Sequence, residues 1–252
     1  MREDERADIL IHLEELRNRI LRGLLYIGLG AVAGWYLYQP VLFPLLTNPV
    51  RLPLDRIGGK MIFLGLMEPF MIRFQVALIA GFILASPLVF YELWAFVAPG
   101  LTQRERQSVR PLLPAAVGLF FAGVAFGFWL MPVFISWMLS FTPQGVDLRP
   151  SLNATIVLLA KIYLAFGLAF ELPVVVLFLA RVGILNSETM IRRWREAIFI
   201  IFVIAAIVTP TWDMFTMTIC ALPMVALYLG SIGVVWRMER RRRRQEDRVP
   251  TP

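Results

Sequence analysis

Long apolar runs separated by short charged segments dominate the chain. Ile20–Tyr38, Pro69–Pro99, Leu112–Phe141 and Ala154–Ala180 each hold the roughly 20 mostly apolar residues that cross a hydrocarbon core of about 30 Å as a helix. Pro69–Pro99 is long enough to tilt or to extend beyond the bilayer. The pattern then changes. Ala197–Val208 is a short apolar run, Thr209-Pro210-Thr211-Trp212-Asp213 reads as a tight turn, and Met214–Trp236 returns. The first arm of this hairpin is too short for a full bilayer, so either the membrane thins around it or the turn lies below the far surface. The pattern predicts an all-α integral membrane protein with about six transmembrane helices, the fifth and sixth forming a short hairpin. Residues 1–236 then make a single six-span membrane domain, and 237–252 a basic, disordered cytoplasmic tail.

Charge fixes the expected orientation. Nineteen of the 25 basic residues fall in alternate segments: the N-terminal stretch through Arg22, Arg104–Arg110, Arg181–Arg195, and the tail from Arg237. The opposite side has only Arg51, Arg56, Lys60 and Arg149. Cytoplasmic loops carry the excess of Lys and Arg, which predicts both termini inside. Composition agrees, with 58% hydrophobic and 17% charged residues, against about half and a quarter in soluble domains. The net charge of +7 is arginine beside apolar runs, a topology signal rather than a nucleic-acid footprint. Arg240–Arg244 reads as an anchor to anionic lipid. The acidic, polar N-terminus does not read as a removable signal peptide. The outer segment Gln39–Glu68, punctuated by Pro40, Pro44, Pro49, Pro53, Gly58 and Gly59, predicts an irregular cap or short helices. Gly30/Gly34 and Gly123/Gly127 are spaced for close helix packing.

Ionisable groups inside spans are costly and mark candidate sites. Glu171 lies mid-span in Phe170-Glu171-Leu172-Pro173, where the proline removes a backbone donor and predicts a kink. Its carboxyl is read either as a partner-binding or proton-coupling group or as one satisfied by a structural hydrogen bond. Asp213 reads as a functional group, as an N-cap for the sixth span, or as both. Arg73 and Lys161, near outer span ends, read as snorkelling side chains. On the cytoplasmic side stand His12-Leu13-Glu14-Glu15-Leu16-Arg17-Asn18-Arg19 and Phe96-Val97-Ala98-Pro99-Gly100-Leu101, followed by Glu105. Glu15 and Arg19 are spaced four apart for a helix pair. The single cysteine, Cys220, permits no internal disulfide and no cysteine-based metal site. His12 has no catalytic companion, and no nucleophile elbow, zinc-binding helix or phosphate loop is present. No enzyme, cofactor or metal is expected.

Several of these motifs, taken together and in order, resemble the TatC family, the multispanning subunit of the twin-arginine protein translocase. They are H-L-E-E-L-R-N-R at His12–Arg19, Y-E-L-W-A-F-V-A-P-G-L at Tyr91–Leu101 with Glu105 after it, F-E-L-P at Phe170–Pro173 and T-P-T-W-D at Thr209–Asp213. The resemblance covers about Asp8 to Trp236. It implies a receptor in the cytoplasmic membrane of a bacterium or archaeon for folded precursors whose signal peptides carry paired arginines. Glu15 and Glu105 would recognise that pair, with Arg17, Phe96 and Pro99 nearby. Glu171 would face a concave interior, and Thr209 with Asp213 would lie where single-span TatA/TatB-type subunits dock. It also implies several copies per complex and energy from the proton-motive force. Three positions depart from the family pattern. Glu92 and Met217 stand where glutamine is frequent, and Arg73 where lysine is frequent; Met217 weakens the polar docking site most. A proton-coupled solute carrier using Glu171 and an assembly scaffold are the competing readings.

Overall fold

The computed structural model describes residues 3–143, 148–208 and 214–246. Ten α-helices appear among them, joined by one π-helical turn, one 3-10 turn and short loops. α1 (Glu3–Leu37) passes through the π-helical turn Tyr38–Leu42 into α2 (Phe43–Asp55). α3 spans Glu68–Val97, and the 3-10 turn Ala98–Gly100 leads to α4 (Gln103–Val109) and α5 (Leu112–Leu139). α6 (Leu152–Ala169), α7 (Leu172–Arg181), α8 (Ser187–Arg192), α9 (Trp194–Val208) and α10 (Met214–Glu246) complete the order.

Five stretches of the described residues are long and apolar enough to cross a membrane: His12–Asp55, Glu68–Gly100, Glu105–Leu139, Leu152–Arg181 and Met217–Arg240. Of the helices outside these stretches the longer, α9, has 15 residues and at 1.5 Å per residue reaches only about 22 Å. The short fifth crossing expected from sequence is therefore present. The turn that follows it, with Thr209 and Asp213, lies outside the described residues.

The chain packs as two compact units. Residues 1–101 and 124–164 form the first, and 102–123 with 165–252 the second; α5 and α6 run through both. In the first unit α1 lies along α3 with almost no side-chain spacer. A Cβ on Gly30 would sit 2.5 Å from the Gly81 carbonyl oxygen, and one on Gly34 would sit 2.9 Å from that of Ala77. The Gly30/Gly34 spacing thus does what small residues do between membrane helices. The segment between α1 and α3 is partly packed. Leu46, Val50 and Leu54 of α2 are buried, and Ile62 pairs with Ser151 as an isolated parallel bridge.

In the second unit α10 packs on α7, α8 and α9. Gly123 again permits close approach, since a Cβ there would fall 2.4 Å from the Phe166 carbonyl oxygen. α10 continues past Trp236 to Glu246, so the helix takes in the first part of the basic tail. Arg and Glu are good helix formers, and the extension is tied down by Glu239, which accepts from the Ser187 amide at 2.9 Å and from its hydroxyl.

Candidate functional site

The carboxylates singled out from sequence are positioned in different ways. In the first unit, Glu15 and Arg19 share a face of α1, and the expected pair forms. Arg19 Nε and Nη2 both donate to Glu15 Oε1, at 3.0 and 2.6 Å. The third nitrogen, Nη1, donates to Glu92 Oε2 on α3 at 3.0 Å. Glu92 Oε1 accepts from the Tyr26 hydroxyl at 3.4 Å. Side-chain exposure falls from 32% at Glu15 through 20% at Arg19 to 7% at Glu92. A carboxylate this deep persists only when paired, and Arg19 supplies the charge that makes Glu92 tolerable.

The role of Glu92 is not legible from helix spacing, which reveals only local pairs, because its partner is 73 positions away. The available signal is a carboxylate one turn from Phe96 in the apolar second half of α3. Arg17 behaves differently. It pairs with Glu14 at 3.2 Å, with both side chains about two-thirds exposed. Phe96 stacks on His12 at 4.5 Å between ring centroids, with the ring planes 21° apart. Pro99 is exposed in the 3-10 turn. Below the ion-pair network an apolar groove of about 240 Å³ opens between α1 and α3, lined by Leu16, Ile20, Ile27, Val89, Leu93 and Phe96 beside Arg19 and Glu92. Gly23 leaves its floor open, with nothing within 4 Å of where a Cβ would be.

In the second unit, Glu105 caps α4. The Thr102 amide and hydroxyl donate to Glu105 Oε2 at 2.9 and 2.7 Å, and the Thr102 oxygen in turn accepts from the Glu105 amide at 3.4 Å. This reciprocal capping box holds the Glu105 carboxyl below the usual carboxylate range, through the hydroxyl first and the Thr102 amide second. The helix is fixed by Val109, which is fully buried, and by Arg181 of α7, which donates to the Ser108 carbonyl. The Thr-x-x-Glu spacing was the sequence signal for this arrangement.

Glu171 lies in the break between α6 and α7 rather than in a kinked continuous helix. Pro173 occupies the first turn of α7, where its missing donor costs nothing. Glu171 Oε1 is buried and has no hydrogen-bond partner. Arg73 is tied to the end of α1. Its Nη2 donates to the Trp35 carbonyl at 3.0 Å and the guanidinium lies 4.3 Å from the Trp35 ring centroid, because the last turn of α1 offers both an open carbonyl and a π face. A second apolar groove, of about 230 Å³, is lined by Phe166, Leu172, Ile204, Ala205, Cys220 and Met224 of the second unit. Among the described residues no cluster of histidine, cysteine and carboxylates with metal-holding geometry occurs.

Five membrane-crossing stretches and a short additional apolar helix among the described residues define a polytopic membrane protein. Comparison with known proteins makes the class specific. Residues 11–223 match the family of the Sec-independent protein translocase protein, TatC. The chain is 37% identical over 239 residues to the TatC protein of Koribacter versatilis, covering 94% of this chain and 88% of that one. It is 38% identical over 243 residues to that of Xylanimonas cellulosilytica, covering 95% and 88%. The crystal structure of a twin-arginine translocase receptor, TatC, in DDM is similar with a TM-score of 0.80 at 31% identity, covering 89% of this chain and 99% of that one. The chain belongs to the TatC family. It is a multi-pass protein of the cytoplasmic membrane and a component of a Sec-independent protein translocase, a family of receptor subunits rather than enzymes.

Proposed function

We propose that this chain is the receptor core of its translocase, binding paired-arginine signal peptides of folded precursors through Glu15 and Glu105 at the cytoplasmic face. The observation that carries the reading is the state of Glu15. Its carboxylate already accepts two nitrogens of a guanidinium fork, at 3.0 and 2.6 Å, and the donor, Arg19, lines an apolar groove together with Leu16, the neighbour of Glu15 in the chain. Planar donors in a fixed fork suit guanidinium and not the point charge of lysine. An exposed pair alone is worth only about 0–1 kcal/mol, so discrimination needs the partly dry setting that the groove supplies. Phe96 and Pro99 border the peptide's path, Arg17 contributes at the exposed side, and the apolar part of the signal peptide lies along the groove.

The same proposal places both termini in the cytoplasm and the basic end of α10 against anionic lipid. Single-span TatA/TatB-type subunits dock near Thr209, Asp213 and the apolar groove beside α9. Glu171 faces the interior that the partners complete. Several copies assemble with these subunits into a complex driven by the proton-motive force. The test is binding of a twin-arginine signal peptide and its twin-lysine variant to the protein in nanodiscs. Arginine-selective binding that falls about tenfold or more with Glu15→Gln and with Glu105→Gln is expected, the scale of about 1.4 kcal/mol per decade. Binding indifferent to both glutamates and to lysine replacement would overturn the reading.

A further inference from the structure

Glu15 is not vacant: an arginine that takes both of its oxygens as a bidentate partner must displace Arg19 from Oε1. The network shows how that exchange is made possible. Two carboxylates and one guanidinium leave one uncompensated negative charge, which is the charge balance that one additional guanidinium completes. The two bonds from Arg19 to Glu15 converge on a single oxygen, Oε1. The bond to Glu92 lies deeper, where only 7% of the Glu92 side chain is exposed. Coulombic attraction strengthens as water is excluded, and a buried carboxylate cannot be abandoned by its partner without a large penalty. Of the two commitments Arg19 makes, the one to Glu92 is therefore obligatory and the one to the more exposed Glu15 is exchangeable. The Tyr26 hydroxyl, 3.4 Å from Glu92 Oε1, holds that carboxylate in place throughout.

We propose that Glu92 is a positioning residue for arginine recognition: by retaining Arg19 it allows an incoming guanidinium to take over Glu15. This rests on the receptor reading above. A glutamine at this position would keep the hydrogen-bonding shape and remove the charge, leaving Glu15 as the only anionic partner Arg19 has. The internal pair would then compete with the ligand at full strength.

The experiment compares wild type, Glu92→Gln, Glu92→Asp and the double variant Arg19→Gln/Glu92→Gln for binding of a twin-arginine signal peptide and its twin-lysine counterpart in nanodiscs. Glu92→Gln is expected to weaken arginine-peptide binding about tenfold and to reduce the preference for arginine over lysine, the size of one lost charge-assisted exchange. Glu92→Asp keeps the charge and is expected to stay within about threefold of wild type. The double variant removes the internal competitor and is expected to recover at least wild-type affinity. A residue needed only for packing would not be rescued by a second substitution beside it. Wild-type binding by Glu92→Gln, or a double variant no tighter than Glu92→Gln, would overturn the proposal. Glu15→Gln, run alongside, separates the two claims. If it abolishes selective binding while Glu92→Gln does nothing, only the exchange fails; if Glu15→Gln also does nothing, the receptor reading fails with it.

Discussion

The two candidate recognition carboxylates are both held by their own chain, but by opposite means. Glu15 is part of a charged network that reaches from a part-exposed position into the interior of its unit, where it shares the single guanidinium of Arg19 with Glu92. Glu105 is held by neutral groups of a single local turn, the amide and hydroxyl of Thr102, and keeps its full negative charge. The first arrangement presets geometry at the cost of a competitor. The second offers an uncompensated anion whose position depends on one cap. A receptor that uses both would gain orientation from one glutamate and attraction from the other.

Substitutions that remove the support of each carboxylate sharpen this contrast. The largest effect is expected from Gly81→Leu. A Cβ at that position meets the Ala31 amide nitrogen at 2.4 Å, so α1 must leave α3 and the Glu15–Arg19–Glu92 network is lost with it. Little folded protein in the membrane fraction, and no peptide binding by what remains, is the expected outcome. Arg19→Ala comes next. Removing one partner of a buried pair costs about 3–5 kcal/mol, read as a lower unfolding midpoint in detergent, whereas Arg17→Ala stays within about 0.5 kcal/mol because its pair with Glu14 is exposed. Similar losses in the two variants would contradict the asymmetry between the inner and outer arginines.

On the other carboxylate the effects are smaller. Thr102→Ala removes the cap of α4 at a cost of at most about 1 kcal/mol, and it is expected to weaken peptide binding by about threefold through loss of Glu105 positioning. The pH dependence has a definite sign. Because hydrogen bonds depress the Glu105 carboxyl in the folded state, the contribution of this contact is fully present above the ordinary glutamate value of about 4.3. It is lost only as pH falls through the lower folded value. The protection factors of the α4 amides, taken against the intrinsic exchange rate at each pH, should therefore be unchanged between pH 7 and pH 5 and fall below that range, and Glu105→Gln should remove the fall.

How much of this was legible in the sequence follows from the range of each interaction. The spans came from apolar run length, and the Glu15–Arg19 pair and the Gly30/Gly34 approach from helical spacing alone. The Thr102–Glu105 capping box was legible in principle, since both members lie in one turn. The long-range contacts were not. Nothing in the spacing of α1 says that Arg19 reaches Glu92 on α3, or that Arg17 turns to Glu14 instead. Arg73 read as a snorkelling side chain because its partners, the carbonyl and ring of Trp35, belong to another helix. The break before α7 was legible as a proline near Glu171, but whether the helix would bend or stop was decided by packing. The helical extension to Glu246 depends on Glu239 finding Ser187, again a contact between distant segments.

The most direct test of the central claim is a double-mutant cycle in nanodiscs between each arginine of a twin-arginine signal peptide, replaced by glutamine, and Glu15→Gln or Glu105→Gln. Residues in direct contact are expected to couple by about 0.5–3 kcal/mol. The account predicts that one peptide arginine couples to each glutamate with an energy in that range. Strictly additive losses at both glutamates would mean that neither carboxylate meets an arginine, and would contradict it.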